Sequence, residues 1–293
     1  GDVRNYDELL NFIKKHKPDI IFHLAAQSLV KKSYLKPKLT YETNVVGTLN
    51  VLEALRKTNI VKSAIIVTSD KCYENKEWFY GYREIDPMGG HDPYSSSKGC
   101  AELIVNAYLK SYFNKVNSKT NDIVLSSVRA GNVIGGGDWG DNRILPDCVR
   151  SLSKKKKILI HNPKSVRPWQ HVFDPLNGYL LLGMNMYKDI SFSGNWNFGP
   201  NDENLINVSD LVKLVISKWK SGSYYIDKSK DKPHETTYLK LDSSKAHSLL
   251  GWRPKYNIEK TIEMTIDWYK NFYSGMDKND LYDFSINQYL NMV

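Results

Sequence analysis

The sequence is poor in cysteine and has no long hydrophobic run. Its 293 residues include three cysteines, Cys72, Cys100 and Cys148, which are widely spaced and odd in number. This set argues against a disulfide framework and against a zinc site, and it fits a reducing cytoplasm. No apolar run approaches the roughly 18 to 20 residues that a membrane span needs, and the first residues do not follow the pattern of a signal peptide. We therefore expect a cytoplasmic protein that has no membrane partner and no bound metal.

The chain carries an excess of positive charge, +9 at pH 7. The densest run, four lysines at 154–157, lies between an apparent helix and a short strand, as is typical of a solvated turn. The sequence lacks the aromatic and basic interleaving of single-strand-binding proteins and the spacing of a zinc finger. A small substrate with phosphates would suit a basic surface equally well. We expect no nucleic-acid partner; a catalytically silent protein that binds RNA or a protein through this surface is kept as an alternative.

Apolar periodicity predicts strands that alternate with helices. Short apolar runs at residues 20–24, 64–69 and 123–128 are typical of buried parallel strands. Helices are predicted between and around them, at residues 6–13, 39–57 and 94–113. In the second of these helices, Val45, Val46, Leu49, Leu52 and Leu55 are expected to face inward. The alternation predicts an α/β fold with a right-handed, doubly wound parallel sheet.

The alternation of strand and helix loosens after Gly131. Helices are expected at residues 144–152, 176–186, 208–219 and 258–269, with short strands at 158–160 and 195–198. We expect this later region to form a smaller α/β lobe that closes over a bound molecule.

The most informative motif is Tyr94, followed four residues later by Lys98 on a predicted helix. At that spacing both side chains share a face, so the ammonium can lower the phenol's pKa from about 10 toward neutrality. Such a base can remove the hydroxyl proton in an alcohol dehydrogenation. A lone Tyr and Lys at this spacing is weak evidence. Here, however, the helix follows a strand that ends in Ser69, Asp70 and Lys71, and ligands of open parallel sheets bind beyond the carboxyl ends of the strands.

Six further segments, in order along the chain, accompany the one that contains Tyr94 and Lys98. The seven segments are HLAAQ at 23–27, NVVGT at 44–48, TSDKCYEN at 68–75, DPYSSSK at 92–98, RAGNVIGGGDW at 129–139, RPWQHV at 167–172 and LDSSKA at 241–246. Together they resemble the extended short-chain dehydrogenase/reductase family. Within it they resemble the nucleotide-sugar 4,6-dehydratases, most closely the branch that acts on CDP-glucose.

The resemblance implies a Rossmann-like domain that binds NAD and a lobe that binds a nucleotide-diphosphate sugar. Residues 1–134 with about 169–200 would form the dinucleotide-binding domain, and 135–168 with about 201–293 the lobe. The implied cofactor contacts are Asp2, Val3, Ala25, Ala26, Gln27, Asn44, Tyr94 and Lys98. The implied substrate contacts are Asn132, Arg143, Arg167, His234 and Glu235. For Arg143 a surface salt bridge is an equal alternative, and for His234 a solvated loop is nearly so.

The implied reaction oxidises C4 of the sugar with NAD, removes water across C5 and C6, and returns the hydride to C6. Tyr94 would take the 4-hydroxyl proton, Lys98 would lower its pKa and bond the nicotinamide ribose, and Ser69 would bond the hydroxyl. Asn44 would support Lys98 through water. Elimination needs an acid and a base; Asp70 would be the acid for the C6 hydroxyl and Lys71 the base for the C5 proton, which requires an unprotonated amine. The alternative is that Asp70 and Lys71 simply pair at a strand end.

One departure from the family is that the chain begins at Gly1 without a glycine-rich phosphate-binding turn. We expect roughly sixty residues that carry the first strand-helix-strand unit and this turn to be missing, which would leave an uncovered sheet edge. A 4-epimerase or decarboxylase of another nucleotide sugar remains an alternative of the same fold. The resemblance also implies that the helices at 39–57 and 94–113 pair across a two-fold axis in a four-helix bundle, giving a homodimer or homotetramer.

Overall fold

The computed structural model describes residues 1–113, 123–227 and 238–292. Within them the helices are α1 (Tyr6–His16), α2 (Val30–Leu35), α3 (Pro37–Tyr41), α4 (Gly47–Thr58), α5 (Pro93–Ser111), α6 (Ile144–Ser153), α7 (Phe173–Lys188), α8 (Val208–Trp219), α9 (Ile258–Tyr273) and α10 (Lys278–Leu290). The strands are β1 (Ile20–His23), β2 (Ser63–Val67), β3 (Val124–Arg129), β4 (Val133–Ile134), β5 (Ile158–Ile160), β6 (Val166–Pro168), β7 (Gln170–His171), β8 (Gly194–Asn197), β9 (Leu205–Asn207) and β10 (Tyr224–Ile226).

The central sheet of the described residues contains four strands in the order β1-β2-β3-β8, and all its neighbours are parallel. Ile20 pairs with Ser63, which in turn pairs with Val124, so the strands end at the same edge of the sheet. A parallel sheet needs crossover helices, and these cover both of its faces. The predicted α/β class with a doubly wound parallel sheet is confirmed.

Two hydrophobic cores lie on opposite faces of this sheet. On one face, α1, α4 and α5 pack against β2 and β3, with Ile13, Leu52, Leu55, Val105, Ala64, Ile66 and Leu125 buried. On the other face, α7 packs with Ile65, Val128, Tyr179, Leu182, Ala246 and Trp252 buried. Each fully buried aliphatic side chain contributes about 1.5–3 kcal/mol relative to exposure. The two cores therefore fix the edge at which β1, β2 and β3 end.

A third core holds the later region together. It contains Cys148, Val149 and Leu152 of α6, Leu211, Val212 and Val215 of α8, and Ile262 and Ile266 of α9. The two-stranded pairs β5 with β10 and β6 with β9 lie in this region. The predicted domain boundaries stay a prediction, and we note that Ala246 and Trp252, assigned to the lobe, pack on the sheet. Among the described residues, no helix is both long and apolar enough to span a bilayer.

The helix predicted at 39–57 differs from expectation in its inward face. It consists of α3, a π-helical turn at Glu42–Val46, and α4. Leu52 and Leu55 are buried as predicted, but the prediction was wrong for Val46 and Leu49, which are 44% and 36% exposed. The buried face is completed instead by polar side chains such as Asn44, which hydrogen-bond neighbouring segments. Helices α2 and α10 were not predicted.

Candidate active site

The end of β2 turns sharply into a single 3₁₀ turn, Asp70–Cys72. Ser69 caps this turn, because its Oγ accepts a hydrogen bond from the Lys71 N–H at 3.2 Å. The same hydroxyl donates to Asp70 Oδ1 at 2.9 Å. The Asp70 N–H donates to the Ala130 carbonyl at 3.2 Å, which ties the turn to the end of β3. Ser69, Asp70 and Lys71 therefore lie at the carboxyl edge of the sheet, as the sequence predicted.

Asp70 is a buried carboxyl group, 3% exposed. Its Oδ2 has no hydrogen-bond partner among the described residues, and it lies directly against Gly131, where a Cβ would sit 1.9 Å from Oδ2. Burial raises the pKa of Asp70, and this outweighs the opposing effects of the Lys71 charge, the Ser69 hydrogen bond and the Arg167 charge. The group is thereby suited to hold a proton that it can donate.

Tyr94 and Lys98 lie on the first turns of α5. The helix begins at Asp92, whose Oδ1 accepts from the N–H groups of Tyr94 and Ser95 at 2.9 and 3.0 Å, with Pro93 at its first position. Lys98 Nζ donates to the Val67 carbonyl at 3.3 Å. The Asp92 cap fixes where the helix begins, and it thereby sets the position of Tyr94 relative to the end of β2.

The pKa of Tyr94 does not move in the direction expected from sequence. Burial raises it to about 12, a hydrogen bond with Ser69 and the Arg143 charge lower it, and the Asp70 charge raises it. Burial also lowers the pKa of Lys98 to about 8. The prediction that Lys98 brings the phenol's pKa toward neutrality is therefore wrong for this arrangement, since burial is the largest effect and Lys98 is not among the main charges that act on Tyr94.

Asn44 joins the loop after β1 to helix α5. Its Nδ2 donates to the Gln27 carbonyl at 3.0 Å and to Ser97 Oγ at 2.9 Å, while its Oδ1 accepts from the Gln27 N–H at 2.7 Å. Ser97 immediately precedes Lys98. Asn44 thus supports the helix that carries Lys98 by direct bonds, and its support of Lys98 through water stays a prediction.

A cavity of about 350 Å³ opens beside this loop. It is lined by Asp2, Arg4, Ala26, Gln27, Ser28, Leu29, Lys32, Leu39 and Thr43. Three predicted cofactor residues, Asp2, Ala26 and Gln27, therefore share one cavity. Arg4 bonds the Asp2 carboxylate and lowers its pKa to about 2. Val3 packs against Gly47, and Ala25 is exposed at the end of β1.

The predicted substrate residues are distributed around the same edge. Arg167 is buried on β6, and its charge acts on Asp70. Arg143 donates to Asp138 Oδ2 at 3.0 Å and to Ser28 Oγ at 2.8 Å, so it connects the later region to the cavity loop. Arg143 thus forms the half-exposed salt bridge with Asp138 that was one alternative, and its charge lowers the pKa of Tyr94. Its contact with a substrate stays a prediction.

Asn132 follows Gly131 and adopts a positive φ of 50°, a conformation that Asn tolerates better than most residues. His234 and Glu235 lie outside the described residues. Sequence reasoning missed Gly131, although a glycine directly after a buried strand signals a close approach. It also missed Ser28 of the cavity loop. Within the described ranges, no group of three or more His, Cys, Asp or Glu is arranged to hold a metal ion.

Comparison with known proteins links this site to a family. A family model described as GDP-mannose 4,6 dehydratase matches residues 1–265. The chain is 46% identical over 278 residues to the CDP-glucose 4,6-dehydratase of Salmonella typhimurium, covering 94% of this chain and 77% of that protein. It is 26% identical to the CDP-paratose 2-epimerase of Salmonella typhi, covering 92% and 82%.

Solved structures share the fold. A UDP-glucose 4-epimerase of Thermotoga maritima with UDP-glucose has a TM-score of 0.77 at 21% identity, covering 93% of this chain and 84% of that one. A dTDP-glucose 4,6-dehydratase of Streptomyces venezuelae with NAD bound has a TM-score of 0.77 at 22% identity, covering 92% and 78%. The motif resemblance is thus confirmed: the chain belongs to the GDP-mannose 4,6 dehydratase family, within the nucleotide-sugar dehydratases and epimerases of the extended short-chain dehydrogenase/reductase fold.

Proposed function

We propose that the protein is an NAD-dependent CDP-glucose 4,6-dehydratase that converts CDP-glucose to CDP-4-keto-6-deoxyglucose. The observation that carries this proposal is the buried Asp70 carboxyl with its raised pKa, next to Lys71 and close to Tyr94 at one sheet edge. An alcohol oxidation alone needs only a Tyr and Lys pair, whereas elimination of water needs an acid and a base in addition. The 46% identity to a protein named for this reaction agrees with it.

The residues present fit NAD on two grounds. The cavity is lined by Asp2, Ala26 and Gln27, three of the residues that the resemblance assigns to the cofactor. Lys98 is buried, and its ammonium has three donors, one of which reaches Val67. We propose that Asp2, Val3, Ala25, Ala26, Gln27, Asn44, Tyr94 and Lys98 hold the cofactor. When bound, NAD supplies the acceptor and donor of hydride.

Each protein group has a distinct task in the proposed reaction. Tyr94 exchanges a proton with the 4-hydroxyl of the sugar, and its hydrogen bond to Ser69 orients the phenol for this. Burial raises the pKa of Asp70 and so favours its protonated form, which would donate its proton to the departing C6 hydroxyl. Lys71 is half-buried and takes the C5 proton, which is acidic once C4 is a ketone.

Arg143, Arg167 and Asn132 are proposed to bind the sugar nucleotide. A guanidinium matches the oxygens of a diphosphate by its fork of donors. The charge of Arg167 lowers the pKa of Asp70, and the charge of Arg143 lowers that of Tyr94. Arg143 also donates a hydrogen bond to Ser28 of the cavity loop. The two cations thus flank the proposed acid and base, where a diphosphate would hold the hexose between them. His234 and Glu235 stay predictions from resemblance.

The test is a substrate survey with the folded protein and NAD. CDP-, UDP-, GDP- and dTDP-glucose are incubated in parallel, and products are identified by mass spectrometry and NMR. We expect loss of one water and a 4-keto-6-deoxy product, formed fastest from CDP-glucose. A product of unchanged mass that is inverted at C4 would instead identify a 4-epimerase. No product from any of the four, with a folded protein that binds NAD, would refute the proposal.

We also propose a homodimer and a cytoplasmic location. Helices α4 and α5 pack together, and Leu49 of α4 and Leu103 of α5 are 36% and 59% exposed. Val46 of the π-helical turn and Tyr41 of α3 are exposed as well. Burying such a surface against a second copy would form the expected four-helix bundle. Light scattering should give a dimer, or a tetramer built from it, for the wild type, and a monomer for the double variant Leu49→Lys and Leu103→Lys. A monomeric wild type would contradict the proposal.

The proposed cytoplasmic location rests on the three free cysteines.

A further inference from the structure

We propose that Glu102, paired with Arg129, is a positioning residue that holds residues 69–71 in place against the helix of Tyr94 and Lys98. The inference deepens the proposed function and rests on it for the meaning of activity. Neither Glu102 nor Arg129 lines the cavity, and neither residue was assigned a role from the sequence. Both belong to a buried network behind the candidate active site.

The pair is fully enclosed. Both side chains are 0% exposed, and Arg129 NH2 lies 2.7 Å from Glu102 Oε2. Burying two opposite charges is costly, and apolar residues of similar volume often serve stability as well or better. A buried pair with many directed hydrogen bonds therefore points to a requirement for defined geometry. The atoms that these bonds reach show which geometry it is.

Glu102 connects the helix to the strand end. It follows Tyr94 by eight residues and Lys98 by four, so all three lie on one face of α5. Its Oε1 accepts a hydrogen bond from Thr68 Oγ1 at 2.5 Å. Thr68 directly precedes Ser69. The carboxylate thus joins the base helix to the residue from which the catalytic segment starts.

Arg129 holds the other end of that segment. Its NH1 donates to the Tyr73 hydroxyl at 2.5 Å, and its guanidinium lies 4.9 Å from the centre of the Tyr73 ring. Tyr73 directly follows the 3₁₀ turn Asp70–Cys72. Glu102 and Arg129 therefore hydrogen-bond the chain on both sides of residues 69–71, through Thr68 and Tyr73, and connect it to α5 and β3.

The charge of Glu102 also acts on Lys98. Burial lowers the pKa of Lys98, and the neighbouring Cys72 and Glu102 side chains raise it in part. Burial raises the pKa of the Cys72 thiol, so the charged group of the two is Glu102, which pairs with Arg129. His23 also faces Lys98, whose charge contributes to lowering the pKa of this buried histidine. Loss of the Glu102 charge should therefore lower the pKa of Lys98 further, which a pH profile of kcat would detect. This effect supports the positioning role but is secondary to the geometry.

The test removes the Thr68 hydroxyl rather than a charge. Glu102→Gln would leave the buried Arg129 guanidinium without its counter-charge and would strongly destabilise the fold. Thr68→Val deletes the bond to the strand end and leaves the ion pair intact. Ser127→Ala is the matched control: its Oγ also donates to Glu102, at 2.8 Å, yet Ser127 lies within β3, away from the catalytic segment. Thr68→Ser keeps the hydroxyl and serves as the rescue.

We expect Thr68→Val to lower kcat at least tenfold with KM within twofold, and to speed hydrogen exchange in peptides that contain residues 69–73. Ser127→Ala and Thr68→Ser should stay within about twofold of wild type in both measurements. Equal losses in Thr68→Val and Ser127→Ala would mean a merely structural role and overturn the proposal. So would wild-type exchange and kcat in Thr68→Val. If the wild type turns over no sugar nucleotide, the proposed function fails, while hydrogen exchange still decides the positioning role.

Discussion

Replacing Gly131 by Ala tests the geometry of the proposed acid most directly. A Cβ at this position would lie 1.9 Å from Asp70 Oδ2 and 2.2 Å from Cγ. Gly131 is not among the described glycines with positive φ, so its backbone would accept alanine. The neighbouring carboxyl, and not the backbone, excludes a side chain. The substitution therefore displaces Asp70 without a conformational penalty at residue 131 itself.

The expected magnitude follows from the distance. Ordinary contact between such atoms is about 3.5 Å, so Asp70 must move by about 1.5 Å. A misplacement of about 1 Å at a reacting group can cost about a hundredfold in rate, and overpacking of a well-packed site costs about 1–3 kcal/mol of stability. We expect kcat for the 4-keto-6-deoxy product to fall about a hundredfold or more. The free energy of unfolding should fall by about 1–3 kcal/mol.

The control is Gly178→Ala, which crowds the core without touching the site. Its Cβ would lie 2.4 Å from Phe198 Cδ1, so it should lower stability while kcat stays near the wild-type value. Product formation is followed by chromatography and unfolding by urea titration. Solvent deuterium should still enter C5 in Gly131→Ala, because Lys71 is untouched. A Gly131→Ala protein with wild-type kcat would refute the proposed role of Asp70.

Two further predictions concern single ionisable groups. Lys71→Met should permit oxidation at C4 yet lower the rate of formation of the 4-keto-6-deoxy product by about 10²–10⁴-fold, as loss of a general base does. Lys76→Met, at an exposed lysine, is the control. Full turnover of Lys71→Met in rapid-quench measurements would reject Lys71 as the base. Burial raises the pKa of Asp174 from the ordinary value of 3.8 to about 6 in the folded protein. The folded state therefore favours the neutral carboxyl group, and the free energy of unfolding falls as the pH rises from about 4 to about 6 and the group ionises. Between about pH 4 and pH 7 the wild type should lose about 3 kcal/mol relative to Asp174→Asn; parallel urea denaturation midpoints for the two proteins would contradict this.

The clustering of Ser69, Asp70 and Lys71 with Tyr94 followed from sequence because the ends of parallel strands meet at one edge. The pKa of Tyr94 could not be predicted in the same way, since it depends on how deeply the phenol is buried. The outward turn of Leu49 was missed because a helix can bury polar residues wherever these bond a neighbouring loop. Gly131 escaped notice because its neighbour Asp70 is distant in sequence and close only after β2 and β3 pair.

The sheet edge has a consequence for how the substrate range could change. The five residues proposed for chemistry all precede residue 134, whereas Arg143 and Arg167 are attached to elements of the third core. Substitutions in the loops of that core should therefore change the proposed contacts of Arg143 and Arg167 with the nucleotide, while the proposed catalytic groups keep their positions on β2 and α5. The same set of proposed catalytic residues could in this way act on sugars attached to different nucleotides.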